Sequence, residues 1–229
     1  MEQAERQVRA PWSARQALAV LVAINLLELG LSRALNLATT GVWQLLLWTS
    51  LDAALNIGLI LLFMRWRHQK GSVALGLTGR RWLHAVIFGL GAGLVAAAVA
   101  LLVGDLLVEL TGHAPEWQPV QELLTRPSSL LQTVALIGAA SVLVPLKEEI
   151  MFRGFLYPAL RDRMGIVGGI LVTSLLFALV HGDLMRALPL FIGGVILNVA
   201  YQKTGSLYAA IVGHGVWNLL MSILAYTWR

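Results

Sequence analysis

The sequence predicts an all-α protein, a polytopic transmembrane helical bundle of about seven spans, and three observations lead there. The 229-residue chain is 58% hydrophobic and only 13% charged, whereas soluble domains carry about 25% charged residues. Its mean hydropathy is +0.74, and its apolar residues fall in runs near the roughly 20 residues that a helix needs to cross hydrocarbon. Its basic residues sit in short segments between those runs. The net charge of +5 and the pI of 10.1 therefore point to a membrane surface and not to a nucleic-acid partner. With zero cysteines there is no disulfide partner, no thiolate zinc ligand and no cysteine nucleophile.

Taken in order, spans are expected at 17–37, 42–64, 84–106, 130–156, 166–182, 186–202 and 206–227. The polar start Met1–Arg15 followed by the apolar run Ala17–Leu31 resembles a signal peptide. Glu28 and Arg33 interrupt it and no small-residue cleavage site follows, so it reads as a retained first helix. Gly41, Gly71, Gly79, Pro115, Pro119, Pro127, Pro158, Gly165 and Gly205 mark the boundaries. Gly89, Gly91 and Gly93 lie inside an apolar span with no strand before them, which argues against a dinucleotide loop and for close helix approach. The Gly168–Gly169 and Gly193–Gly194 pairs read the same way. Trp43, Trp48, Trp66, Trp82 and Trp228 stand near span ends as interfacial anchors. The whole chain, 1–229, reads as one integral-membrane domain whose reactive residues gather in about 142–220.

Orientation follows from lysine and arginine in the short loops. A cytoplasmic N-terminus places Arg6, Arg9, Arg15, Arg65, Arg67, Lys70, Arg80, Arg81, Arg161, Arg163 and Lys203 inside, against Arg33, Arg126, Arg186 and Arg229 outside. That asymmetry predicts a plasma (inner) membrane protein with its N-terminus in the cytoplasm.

Ionisable side chains at the centre of a span cost about 2.5–3.5 kcal/mol each on insertion scales, so those present ask for a reason. Glu149 and Arg153 are four residues apart, which makes them neighbours on a helix with the carboxylate in the favourable N-terminal place. Glu148 is rotated by about 100° from Glu149, and so is expected to face the bundle interior unpaired, as a candidate general base. His181 shares a helix face with Phe177, and His214 shares one with Asn218. A base, an orienting imidazole and a pair of oxyanion donors are the parts that amide hydrolysis requires. Asn25, Glu28, Asp52 and Asn56 read as packing or helix-end hydration, and Lys147 as snorkelling or paired with an acid.

Glu148-Glu149-x-x-x-Arg153, then Phe177-x-x-x-His181, then His214-x-x-x-Asn218 resembles the three-motif pattern of the CAAX protease and bacteriocin-processing (CPBP, or Abi) family, intramembrane endopeptidases that include the Ras-converting prenyl-protein proteases. The resemblance covers roughly Val142–Leu220. It implies an endopeptidase acting on membrane-associated peptides or proteins, prenylated or leader-bearing ones among them. Glu148 and His181 would activate a water, and His214 and Asn218 would stabilise the oxyanion, with Glu149, Arg153 and Phe177 in support. The family has been read both as a metalloprotease and as a glutamate protease. Glu148, His181 and His214 would hold zinc in the first case, and no cofactor is needed in the second. Some members carry an asparagine four residues after the central histidine, where Met185 stands here. Two other readings compete: a proton- or ion-coupled transporter, which would show paired repeats that are not visible, and a non-catalytic membrane scaffold or immunity protein.

Overall fold

The computed structural model describes residues 10–34, 41–78, 82–114, 118–126 and 128–227. Arg6, Arg9, Gly79, Arg80, Arg81, Pro115, Pro127, Trp228 and Arg229 lie outside the described residues. Every regular element among the described residues is helical: α1 (Ala14–Ala34), α2 (Val42–His68), α3 (Trp82–Thr111), the short α4 (Pro119–Thr125), α5 (Leu130–Leu179), α6 (Leu184–Thr204) and α7 (Leu207–Thr227). All but α4 are long and apolar enough to cross a membrane.

The 50-residue α5 is two rods. Gly165, at φ 75° and ψ 175°, breaks it, in a conformation that glycine adopts without steric cost. Phe152 and Phe177 would lie about 37 Å apart on a straight helix, yet their rings are 5.3 Å apart, so the chain reverses between them. With α5 counted as arms 130–164 and 166–179, the described residues form seven apolar helical runs, and the all-α polytopic bundle read from the sequence is what is found.

One boundary differs from expectation. The fourth span was expected to stop near Leu156, ahead of Pro158, but the helix continues past that proline to the Gly165 turn. The reason is local. Ile150–Leu156 is wound as a π-helix in which the Tyr157 N–H reaches Phe152 O, and this wider winding accommodates a residue that has no N–H to offer. Ala139–Leu143, the first π-helix in chain order, precedes Pro145 in the same way, and Ile150–Leu156 is the second.

The expected close approach is realised between α3 and α7. A methyl on Gly89 would fall 2.6 Å from the Ala209 carbonyl oxygen, and one on Gly93 would overlap the Gly213 carbonyl. Gly193 on α6 leaves room for the Trp217 indole. Trp43, Trp66 and Trp82 are exposed at helix ends, as interfacial anchors require. The chain between α2 and α3 folds inward, burying Leu75, whose carbonyl accepts from Tyr201 Oη at 3.2 Å. Lateral packing of α5, α6 and α7 thus places the three motif-bearing stretches side by side.

Candidate active site

Glu148, Glu149 and Arg153 enter the centre of the bundle from the first arm of α5, at the junction of Val144–Glu149 with the second π-helix. Glu149 is fully buried. Its Oε1 accepts from Arg153 Nη1 at 2.8 Å, the partner that helical spacing predicts, and also from His214 Nδ1 of α7 at 2.8 Å. Arg153, also fully buried, donates through Nη2 to Gly194 O at 3.1 Å and lies 4.4 Å above the Phe177 ring. Any side chain on Gly194 would crowd that guanidinium, since a Cβ there would sit 3.3 Å from Nη2. A planar cation with several fixed donors suits such a crossing point of three helices.

Glu148 points elsewhere. Its side chain keeps 14% of its exposure, and Oε2 stands 3.9 Å from His214 Nε2. A carboxylate bound at Nδ1 holds that nitrogen in its N–H form, leaving Nε2 turned to Glu148. His181, expected inside a span over 166–182, lies in the turn just past the end of α5 at Leu179 and donates Nδ1–H to Phe177 O at 2.7 Å, which fixes its ring and leaves its Nε2 as the unpaired nitrogen. Phe177 meets both imidazoles edge-on, at 4.9 Å to His181 and 5.7 Å to His214. Phenylalanine at this position therefore spaces the two histidines and caps the arginine.

Asn218 lies one turn along α7 from His214, but its Nδ2 donates to Ala140 O at 2.9 Å. The backbone explains that bond. In the first π-helix the Val144 N–H goes to Ala139 O, and Pro145, the next residue, has no N–H. Ala140 O is thereby left without a helical donor, and Asn218 supplies one. An asparagine amide has two hydrogens, so one remains for other work. Met185 lies within the first turn of α6, its N–H accepted by Asp183 Oδ1 at 2.8 Å.

Two contacts go beyond the sequence reading, in which Lys147 snorkels or pairs with an unspecified acid and Trp217 is not singled out. Asp52 of α2 pairs with Lys147 at 2.7 Å, beside the glutamates. Trp217 packs on His214 at 5.8 Å between ring centroids. The spacing of Pro145 from Ala140 is the only sequence signal for the asparagine contact. Among the described residues no three histidine, aspartate or glutamate side chains, Glu148, His181 and His214 included, converge as a ligand set for a metal ion.

Comparison with known proteins bears on this constellation. Residues 130–220 match the family model described as type II CAAX prenyl endopeptidase Rce1-like. An uncharacterized 24.3 kDa protein of Escherichia coli is 30% identical over 126 residues, covering 53% of this chain and 58% of that protein. The "Putative membrane peptidase YdiL" of Bacillus subtilis (strain 168) is 26% identical over 157 residues, covering 68% of this chain and 59% of that protein. The chain thus spans under two thirds of the length of either relative. No solved structure matches. The matched segment contains every residue of the three motifs, and over residues 130–220 this integral-membrane chain is similar to the Rce1-like CAAX prenyl endopeptidases.

Proposed function

We propose that this protein is an intramembrane endopeptidase that cleaves peptide bonds of membrane-associated substrates with a water activated by Glu148. The observation that carries the reading is the division of labour between adjacent carboxylates. Glu149 is bound by Arg153 and His214, while Glu148 is left partly exposed with Oε2 3.9 Å from His214 Nε2. Two acceptors at that separation are both reached by one water at about 2.8 Å, subtending about 90°. Glu148 takes one proton from that water as the oxygen attacks the scissile carbonyl, and hands it to the amide nitrogen as the C–N bond breaks and the amine leaves. His214 Nε2 accepts the water's second hydrogen, and Glu149 holds the ring in that tautomer from the Nδ1 side, as a carboxylate does in other hydrolytic triads. The second Asn218 amide hydrogen then faces the developing oxyanion. His181, oriented by Phe177 O, contributes its free Nε2 to holding the water.

Membrane-bound peptides, including prenylated ones, are the substrate class this reading implies, and the N-terminus is assigned to the cytoplasm by the arginine and lysine asymmetry. The test is cleavage of a peptide library by the purified full-length chain. Glu148→Gln should lower kcat by on the order of 100- to 10,000-fold with an unchanged melting temperature. Activity that persists in chelator would place the water on glutamate alone. A wild-type chain inert toward the whole library, prenylated peptides included, would overturn the proposal.

A further inference from the structure

A second polar cluster lies beside the glutamates and joins Lys147 to α1 and α2, two helices outside the family-matching segment 130–220. Lys147 Nζ donates to Asp52 Oδ2 at 2.7 Å, across 95 residues of sequence. Asn56, fully buried one turn further along α2, donates Nδ2 to Asp52 Oδ1 at 3.0 Å and to Asp52 O at 2.9 Å. The same amide nitrogen also meets Glu28 Oε1 of α1. The lysine and aspartate side chains keep only 16% and 11% of their exposure. A lysine that merely snorkelled would extend toward water; this one reaches sideways to a carboxylate carried on another helix.

The consequence lies in the order Lys147, Glu148, Glu149. Successive residues of a helix leave it about 100° apart. Lys147 is anchored to α2, and Glu149 is anchored to Arg153 and to α7. The two anchors flank Glu148 and stop the helix from turning about its axis. A rotation of roughly 20° would carry a carboxylate about 6 Å from the axis through about 2 Å, and a misplacement of about 1 Å at a reacting group costs on the order of 100-fold in rate.

We infer that Asp52 and Lys147 are positioning residues that set the direction of Glu148, with Asn56 and Glu28 bracing Asp52 from α2 and α1. The inference rests on the protease reading for its kinetic test and on geometry alone for a second one. In the kinetic test, Asp52→Asn, Lys147→Met and the double variant are assayed for peptide cleavage, with melting temperature measured alongside. Each single variant should lose at least tenfold in kcat with KM within about twofold of wild type. The double should be no worse than the poorer single, because one clamp has been removed in each case. Losses that multiply in the double, or that appear in KM and melting temperature with kcat intact, would overturn the positioning role.

The second test needs no catalysis. The chain has no cysteine, so Glu148→Cys carries one thiol, whose alkylation rate by a small maleimide reports its surroundings. Adding Asp52→Asn should change that rate at least threefold, and an equal rate would overturn the inference. A wild-type chain that cleaves nothing while the alkylation rate still responds would sink the protease reading and leave the clamp standing.

Discussion

Arg153→Met is the sharpest probe of how the site is held. The guanidinium is 0% exposed, and it binds Glu149 Oε1 at 2.8 Å, binds Gly194 O at 3.1 Å and covers Phe177. Methionine keeps much of the aliphatic stem and removes all three polar functions. Glu149 would then be a buried carboxylate held by His214 alone. Removing one partner of a buried ion pair costs about 3–5 kcal/mol. For a chain of this size each kcal/mol moves the melting temperature by about 2–4 °C, so a fall of roughly 6–20 °C is expected. The assay is thermal unfolding of the purified protein in one fixed detergent, followed by tryptophan fluorescence. The double variant Glu149→Gln/Arg153→Met removes both charges while its amide can still accept from His214, and should recover at least half of the loss. A single-variant fall of under about 3 °C would refute the argument, as would a double variant less stable than the single.

Three further expectations follow from named contacts. Asn218→Ala leaves the Ala140 carbonyl without its donor and should destabilise the chain by about 1–3 kcal/mol, read as a lower melting temperature even where activity is not measured. Gly89→Val places carbon against the Ala209 carbonyl, where even a Cβ would lie 2.6 Å away; separation of α3 from α7 should lower stability by about 1–3 kcal/mol, whereas Gly91→Val, at a position with open space, should not. Asp183, in the connection before α6, is opposed by burial but held below the usual carboxylate range by the Arg186 side chain and by the Arg186 and Met185 backbone N–H groups. A depressed folded pKa adds stability that is present above the unfolded value near 4 and is lost as pH falls through the folded value. Protection from hydrogen exchange at the start of α6, taken relative to the intrinsic exchange rate at each pH, should therefore fall on acidification below about pH 4, and Asp183→Asn should abolish that fall.

The parts of the site legible in the sequence are those set by helical spacing. Glu149 with Arg153, and the exclusion of Glu148 from that pair, follow from positions four and five residues apart, and the structure has the same pairing. The nearness of Phe177 and His181 is legible for the same reason, and the His181 Nδ1–H donates to the Phe177 carbonyl. The pairing of Asn218 with His214 was read as a simple shared face. It lacked the π-helical carbonyl of Ala140, because a winding change depends on how Pro145 is accommodated within a packed bundle. Asp52 and Asn56 were read as packing, since nothing in α2 itself says which helix will lie against it. Lys147 was read as snorkelling or paired with an acid, and the structure gives that acid as Asp52.

By itself the sequence determined the solvent, the helical content, the rods and the local carboxylate–arginine pair. These depend on composition, on run length against the thickness of a bilayer, and on contacts within one turn of helix. Only the tertiary structure decided that the fourth span runs on past Pro158 to the Gly165 boundary, that His214 closes on Glu149 across 65 residues, and that Lys147 reaches Asp52 across 95. Helix association in a bilayer rests on shape and on scattered polar contacts, because lipid tails are as apolar as the helices they surround. No hydrophobic period can announce in advance which helices will meet.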